Sequence, residues 1–264
     1  MSWDALQGAT VTRSGSAVES DRFGLTIGRV VVGDQCQEPE AARVLTAALD
    51  DAPEELLVVR WPTRLVSLGA AAAASSRAVI PADVLVYWEV PTSTLQPDPA
   101  ALASDELRVE VPSEADDASR AALDLVVRDS FAGYGNHYTA NPRLDRDLAL
   151  TGYLDWAGRA LDDNPQDVVL LHHRDQPIGV ATLTTGGDGQ DLEILLAGLT
   201  GSTQGQGWYR HLLAGVGEQA RARGCSRVII STQVHNIRVQ RAWARSGFRP
   251  FGAVTTVHAM RRPD

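Results

Sequence analysis

Apolar residues along this chain fall either in short unbroken runs or at intervals of three and four, the patterns of buried strands and amphipathic helices. In the first third, Leu25 to Val32 reads as a strand, Pro39 to Leu49 as a helix and Leu56 to Arg60 as a short buried strand. Thr63 to Ala74 then reads as a helix and Val84 to Val90 as a strand. Pro91 to Asp105, rich in Pro, Ser, Thr and Asp, has the composition of an exposed connection. Beyond it the pattern gives a strand over Leu107 to Val111, a helix capped by Ser113 with Asp116 three residues on and ending near Phe131, and a helix over Leu148 to Leu161. Val168 to His173 and Ile178 to Thr184 form a hairpin, and Leu192 to Leu199 is an almost continuous apolar strand. After a helix ending near Gly224 come a strand over Arg227 to Ser231 and a helix over Asn236 to Ser246 stopped by Gly247. Phe248 to Val254 and Thr255 to Met260 close the chain as two strands.

Alternating strands and helices define an α/β protein, and the Pro-rich stretch divides it. The expected domains are 1–92, a small N-terminal α/β domain, 93–105, a linker, and 106–264, a larger α/β domain.

Within the second part, Gly201-Ser-Thr-Gln-Gly-Gln-Gly-Trp-Tyr-Arg-His-Leu-Leu-Ala214 follows a strand and opens a helix whose Trp208, Leu212, Leu213 and Val216 share a face. Gly205 and Gly207 let backbone N–H groups crowd toward a ligand, and the helix N-terminus adds unsatisfied donors and partial positive charge. The stretch is a candidate anion cradle. It lacks the Lys and Ser or Thr of a P-loop and the third glycine of a dinucleotide fingerprint. A second irregular stretch, Phe131 to Pro142, sets Tyr134, Asn136, His137, Tyr138 and Asn141 among glycine and proline breakers, a density of polar and aromatic groups that suits ligand contact.

Composition narrows the partners. A formal charge of −9 argues against nucleic acid or an anionic membrane. Cys36 and Cys225 are too few for a disulfide framework, and six scattered His offer no zinc-type spacing. No signal-peptide pattern or membrane-length apolar run occurs, so the expectation is a cytoplasmic protein without metal.

Gln204-x-x-Gly207 resembles the pyrophosphate loop Q/R-x-x-G-x-G/A of the GNAT superfamily of acetyl-CoA-dependent N-acetyltransferases, with Tyr209 at the last small position. Asn236 to Phe248 resembles the superfamily's N-x-x-A-x-x-x-Y-x-x-x-G-F, with Val239 for Ala and Trp243 for Tyr. The element order of the second part agrees. The resemblance implies a GNAT fold, a mixed central sheet flanked by helices, preceded by the smaller N-terminal domain. Asp21-Arg-Phe-Gly24, the Asn136 to Pro142 loop and Ser231-Thr-Gln233 look like a two-domain branch of sugar-amine acetyltransferases similar to dTDP-fucosamine acetyltransferase.

That resemblance implies roles. Backbone groups of Gln204, Gly205, Gln206, Gly207, Trp208 and Tyr209 would hold the coenzyme A pyrophosphate, Ala197 and Leu199 would pair with the pantetheine arm, and Asn236 and Trp243 would border it. Tyr134, Asn136, His137, Tyr138 and Asn141 would receive a small-molecule amine, an aminosugar linked to a nucleotide or a natural-product intermediate. The amine would attack acetyl-CoA directly, with the N–H of Leu199 receiving the oxyanion. Relatives place a Tyr acid where this chain has Trp243, whose indole N–H does not ionise usefully. Glu193 and His258, on strands bordering the expected cleft, are the substitute acid–base candidates. Two other readings stand: a non-catalytic acyl-CoA-binding module that has lost the acid, and a peptide or protein N-acetyltransferase. A homodimer is the candidate assembly.

Overall fold

In the computed structural model, which describes residues 2–97 and 106–263, the two parts of the chain share one ten-stranded sheet. Its strands are β1 (Val11–Gly15), β2 (Ile27–Val32), β3 (Leu56–Pro62), β4 (Ala78–Pro91), β5 (Leu107–Glu110), β6 (Val168–His173), β7 (Gln176–Thr185), β8 (Asp191–Leu199), β9 (Arg227–Gln233) and β10 (Arg249–Met260). They lie in the order β1-β2-β3-β10-β4-β9-β8-β7-β6-β5. The helices are α1 (Ala17–Phe23), α2 (Glu38–Asp50), α3 (Leu68–Ala73), α4 (Asp117–Phe131), α5 (Arg146–Asp163), α6 (Tyr209–Ala222) and α7 (Ile237–Arg245).

The topology repeats itself. β2 runs parallel to β3 with α2 between them in sequence, and β8 runs parallel to β9 with α6 between them. Each half then ends in a long strand, β4 or β10, and these are exchanged: β10 pairs with β3, while β4 pairs with β9. The two exchanged strands pair with each other at the centre. Apolar faces follow the exchange. Val257 and Ala259 of β10 join the core of the first part with Leu45, Leu49 and Trp61, and Trp88 and Val90 of β4 join the core of the second with Trp243 and Val216.

Several boundaries differ from the pattern. β10 is a single strand where two were expected, because Thr255 and Thr256 are good strand residues with no turn former between them and β4 supplies the pairing edge throughout. β4 starts at Ala78, ahead of the expected Val84. Its Pro81 is tolerated at a register shift between Thr256 and Val257 of the partner. α4 is capped by Asp116, whose carboxylate accepts from Ser119 N at 2.7 Å, rather than by Ser113. β1 and α1 were not read from the sequence. Within the expected connection Leu95 is buried, and its carbonyl accepts from Arg221 Nη1 at 2.8 Å; residues 98–105 lie outside the described residues. Among the described residues no helix is long and apolar enough to cross a membrane.

Candidate active site

β8 and β9 are in register only from Asp191 and Arg227 to Ile194 and Ile230, and beyond that point they part. Thr200 N donates to Ile178 O at 2.9 Å, which makes Gly179 and Leu199 a non-hydrogen-bonded pair with β7. By strand alternation the backbone groups of Leu199 and Ala197 therefore point away from β7, into the gap beside β9. A bulge sharpens the opening. Thr182 faces Leu196 and Leu183 faces Ile194, so Leu195 is the extra residue and lines the gap.

The gap leads to the glycine turn. After a 3-10 turn over Gly201–Thr203, Gly205 and Gly207 take φ of 86° and 82°, and α6 begins at Tyr209. Among the described residues, no heavy atom beyond its two chain neighbours stands within 4 Å of where a Cβ on Gly207 would lie, so the turn is open at that point. Gln204 fixes the turn at both ends: its Nε2 donates to Leu199 O at 3.0 Å, and its Oε1 accepts from Arg238 Nη1 at 3.0 Å. Open backbone amides, a helix N-terminus and the Arg238 guanidinium suit a phosphate-bearing ligand such as coenzyme A.

A cleft of about 1270 Å³ runs from this turn across the sheet and onto the first part of the chain. Its floor is a row of polar side chains on successive strands: Arg60 of β3, Thr256 of β10, Asp83 of β4, Gln233 of β9 and Glu193 of β8. Its wall is the Phe131 to Pro142 stretch with α1 and α5. Tyr134 Oη meets Thr232 Oγ1 at 3.0 Å and Gln233 Oε1, while Asn236 caps α7 and donates to Thr232 Oγ1 at 3.1 Å. Asn136 caps the turn over His137–Ala140 through Tyr138 N at 2.9 Å and donates to Tyr153 Oη at 3.2 Å. Tyr138 Oη donates to Glu19, which pairs with Arg29 at 2.7 Å. Burial alone would raise the Glu19 carboxyl, but the Arg29 hydrogen bond and charge hold it below its usual range.

The two acid–base candidates part company here. Glu193 lines the cleft and is 4% exposed. Burial raises its pKa, against hydrogen bonds from Ser2 and Trp3 that lower it. His258 is 0% exposed and does not line the cleft. Burial first, then the Arg60 charge, push its pKa down to about 4, with Glu19 opposing. Its ring lies behind His137. Arg60 Nη2, an obligate donor, stands 3.0 Å from His137 Nε2, so that nitrogen accepts and the His137 proton sits on Nδ1, 2.9 Å from His258 Nε2. His258 Nδ1 stands 3.1 Å from Asn141 Nδ2, so both nitrogens of this ring also have partners within the protein. Neither ring keeps a lone pair for an incoming ammonium, and burial and Arg60 also hold the His137 pKa well below its ordinary value. The pair orients Arg60 instead.

Of the other sequence candidates, Ala197, Leu199, Gln204, Gly205, Gly207, Tyr209, Asn236, Trp243, Tyr134, Asn136, His137 and Tyr138 all line the cleft. Gln206, Trp208 and Asn141 do not: Gln206 Nε2 folds back to Ser202 O at 3.1 Å, Trp208 stacks on His173 at 4.5 Å, and Asn141 is buried behind His258. The structure adds Glu19, Arg60 and Asp83 from the first part, and Ser2 from the chain start. It also gives Tyr209 a second feature. Trp243 Nε1 donates to Tyr209 Oη at 3.3 Å, so a phenol stands against the indole. Burial pushes its pKa up to about 12, with the Trp243 bond pulling the other way.

Comparison with known proteins agrees with this geometry. Residues 125–248 match the model of the acetyltransferase (GNAT) family, whose members take acetyl-CoA as acyl donor. A comparison with curated proteins finds no sequence match. Among solved structures, the chain is similar to a GCN5-related N-acetyltransferase from Kribbella flavida, with TM-score 0.56 and 15% identity over 97% of this chain and 90% of that one. It is similar to a tandem GNAT protein from the clavulanic acid biosynthesis pathway, with TM-score 0.55 and 14% identity over 90% and 76%. A glucosamine N-acetyltransferase region of a fungal multi-domain GH3 β-N-acetylglucosaminidase gives TM-score 0.60 and 13% identity, covering 94% of this chain and 31% of that one. At these identities the likeness speaks for the fold.

Proposed function

We propose that this chain is an N-acetyltransferase that moves the acetyl group of acetyl-CoA to the amine of a polar small molecule, with an aminosugar, free or nucleotide-linked, as the first candidate and a natural-product amine as the second. The observation that carries this reading is the continuity of the cleft, from an open backbone cradle to a floor of Arg60, Thr256, Asp83, Gln233 and Glu193. A hydroxyl-rich acceptor finds there the donors and acceptors that an apolar amine would leave unpaired. The branch similar to dTDP-fucosamine acetyltransferase fits this floor.

In this reading the backbone amides of Gly205, Gly207 and Tyr209, which line the cleft, hold the pyrophosphate, and the edge of β8 aligns the acyl arm. The N–H of Leu199, or that of Ala197, meets the developing oxyanion. Glu193 takes the ammonium proton. Tyr209 returns a proton to the departing thiolate, its phenolate being held by the Trp243 N–H. The phenol removes the main argument for a non-catalytic module, namely that Trp243 had displaced the acid. Loss of this hydroxyl in Tyr209→Phe is expected to lower kcat roughly tenfold to a hundredfold, less than for a poor leaving group, with acetyl-CoA affinity unchanged.

Calorimetric titration with acetyl-CoA, followed by thiol release with sugar amines, amino acids and short peptides as acceptors, tests the function. Turnover with sugar amines supports the reading; binding without turnover for any amine returns the non-catalytic module. The wall of the acceptor end has its own test. Tyr138→Phe, which releases Glu19, is expected to raise acceptor KM about tenfold while acetyl-CoA KM stays constant. Equal changes in both would place Tyr138 outside the acceptor site.

A further inference from the structure

Residues 3–6 form a single 3-10 turn over the sheet, preceded by Ser2, and this segment meets the reaction centre. Ser2 Oγ donates to Glu193 Oε2 at 2.6 Å, and Trp3 N donates to the same oxygen at 2.7 Å. Both donors are on one oxygen. We propose that the segment Ser2–Leu6 is a positioning element for the base: Ser2 and Trp3 saturate Oε2 of Glu193, fix the plane of the carboxylate and leave Oε1 to take the acceptor's proton. The proposal rests on Glu193 being the base.

The segment is held firmly enough to do this. Leu6 is fully buried with Tyr87, Ile229 and Val254. The Trp3 ring packs on Tyr87 and Phe251 at centroid distances of 4.9 and 4.7 Å. Asp4 Oδ2 accepts from Gly187 N at 2.6 Å, tying the segment to the turn that leads into β8, the strand of Glu193 itself. A carboxylate buried to this degree without donors would be held neutral and could not act as a base. Two charge-assisted hydrogen bonds favour the ionised form and keep it available. The other groups around the carboxylate are its uncharged register partners Thr184 and Ile229, with Asp4 and the buried Tyr87 nearby. Asp4 disfavours the charge, and the segment's two donors, with the positive charge of the chain's α-amino group, oppose it.

The transfer balances simply. An ammonium N–H gives its proton to Oε1 and that proton leaves through the cleft to solvent; the neutral amine adds to the acetyl carbon, the C–S bond breaks, the thiolate takes a proton from Tyr209, and the second proton lost by the nitrogen restores the phenol, so that amide, thiol and one released proton result.

The test reads the carboxyl directly and needs no acceptor. In the full chain carrying glutamate labelled with 13C at the carboxyl carbon, the Glu193 resonance is the one lost in Glu193→Gln. Donors to the ionised form lower its pKa, so Ser2→Ala is expected to raise the titration midpoint by roughly one pH unit. Ser2→Thr, which keeps the hydroxyl, is expected to leave it in place. An unmoved midpoint in Ser2→Ala, or the same rise in both variants, overturns the proposal. Failure of the base itself is read separately: if Glu193→Gln transfers acetyl normally while the midpoint still moves in Ser2→Ala, the hydrogen bonds stand and the catalytic reading falls.

Discussion

Glu193→Gln is expected to lower kcat roughly 10²- to 10⁴-fold at neutral pH, the usual range for losing a general base, while acetyl-CoA affinity stays unchanged. The substitution keeps the shape of the side chain and its place at Ser2 and Trp3, so the loss isolates the proton-accepting oxygen. The pH profile gives the sign. A base must be ionised to act, and burial holds this carboxyl above its ordinary value, so the acid limb of kcat/KM is expected above the usual carboxylate range. In Glu193→Gln that limb disappears, and the residual rate climbs with pH as the free amine loses its own proton. The defect therefore narrows in alkali. His258→Gln is expected to keep the limb, because that ring is pushed down to about 4 and reaches the cleft only through His137 and Arg60. Near-normal kcat in Glu193→Gln at mildly acidic pH would remove the base from Glu193.

The difference between these two residues also marks what the sequence could and could not say. The cradle was legible because its signal is local: an apolar strand, glycines at the right spacing and an amphipathic helix lie within about thirty residues of one another. Tyr134, Asn136 and Tyr138 were legible for the same reason, as a polar cluster among breakers. His258 was placed at the cleft because it shares a strand face with Thr256, and Thr256 does line it. Two residues further along, the turn over His137–Ala140 covers the strand, and no periodicity records that covering. Arg60 and Asp83 were missed because they reach the site through the exchange of β4 and β10, a pairing between distant segments. Pro81 and Asp83 also read locally as strand breakers. Ser2 gave no signal, since a single serine beside a tryptophan predicts nothing until the sheet brings Glu193 beneath it.

Gly207→Val is expected to weaken acetyl-CoA binding about a hundredfold or more, the larger part through the backbone. Gly207 sits at φ 82°, which a β-branched residue adopts only at a cost of about 1–3 kcal/mol. Relaxing that strain turns the neighbouring peptide and swings amides away from the phosphates they would hold. The folded chain is expected to survive, because among the described residues a Cβ at this position meets no atom within 4 Å beyond its two chain neighbours. That open space is what a phosphate oxygen held by the turn would occupy, so a side chain there obstructs the bound ligand. Gly207→Ala, strained but unbranched, is expected to fall near tenfold, and Arg238→Ala, which removes a charge and leaves the backbone alone, near threefold. The order Val, Ala, then the Arg238 variant, measured by calorimetry on chains with native circular dichroism, checks that recognition lies in the geometry of the turn. Unchanged affinity in a folded Gly207→Val would move the coenzyme site elsewhere on the protein.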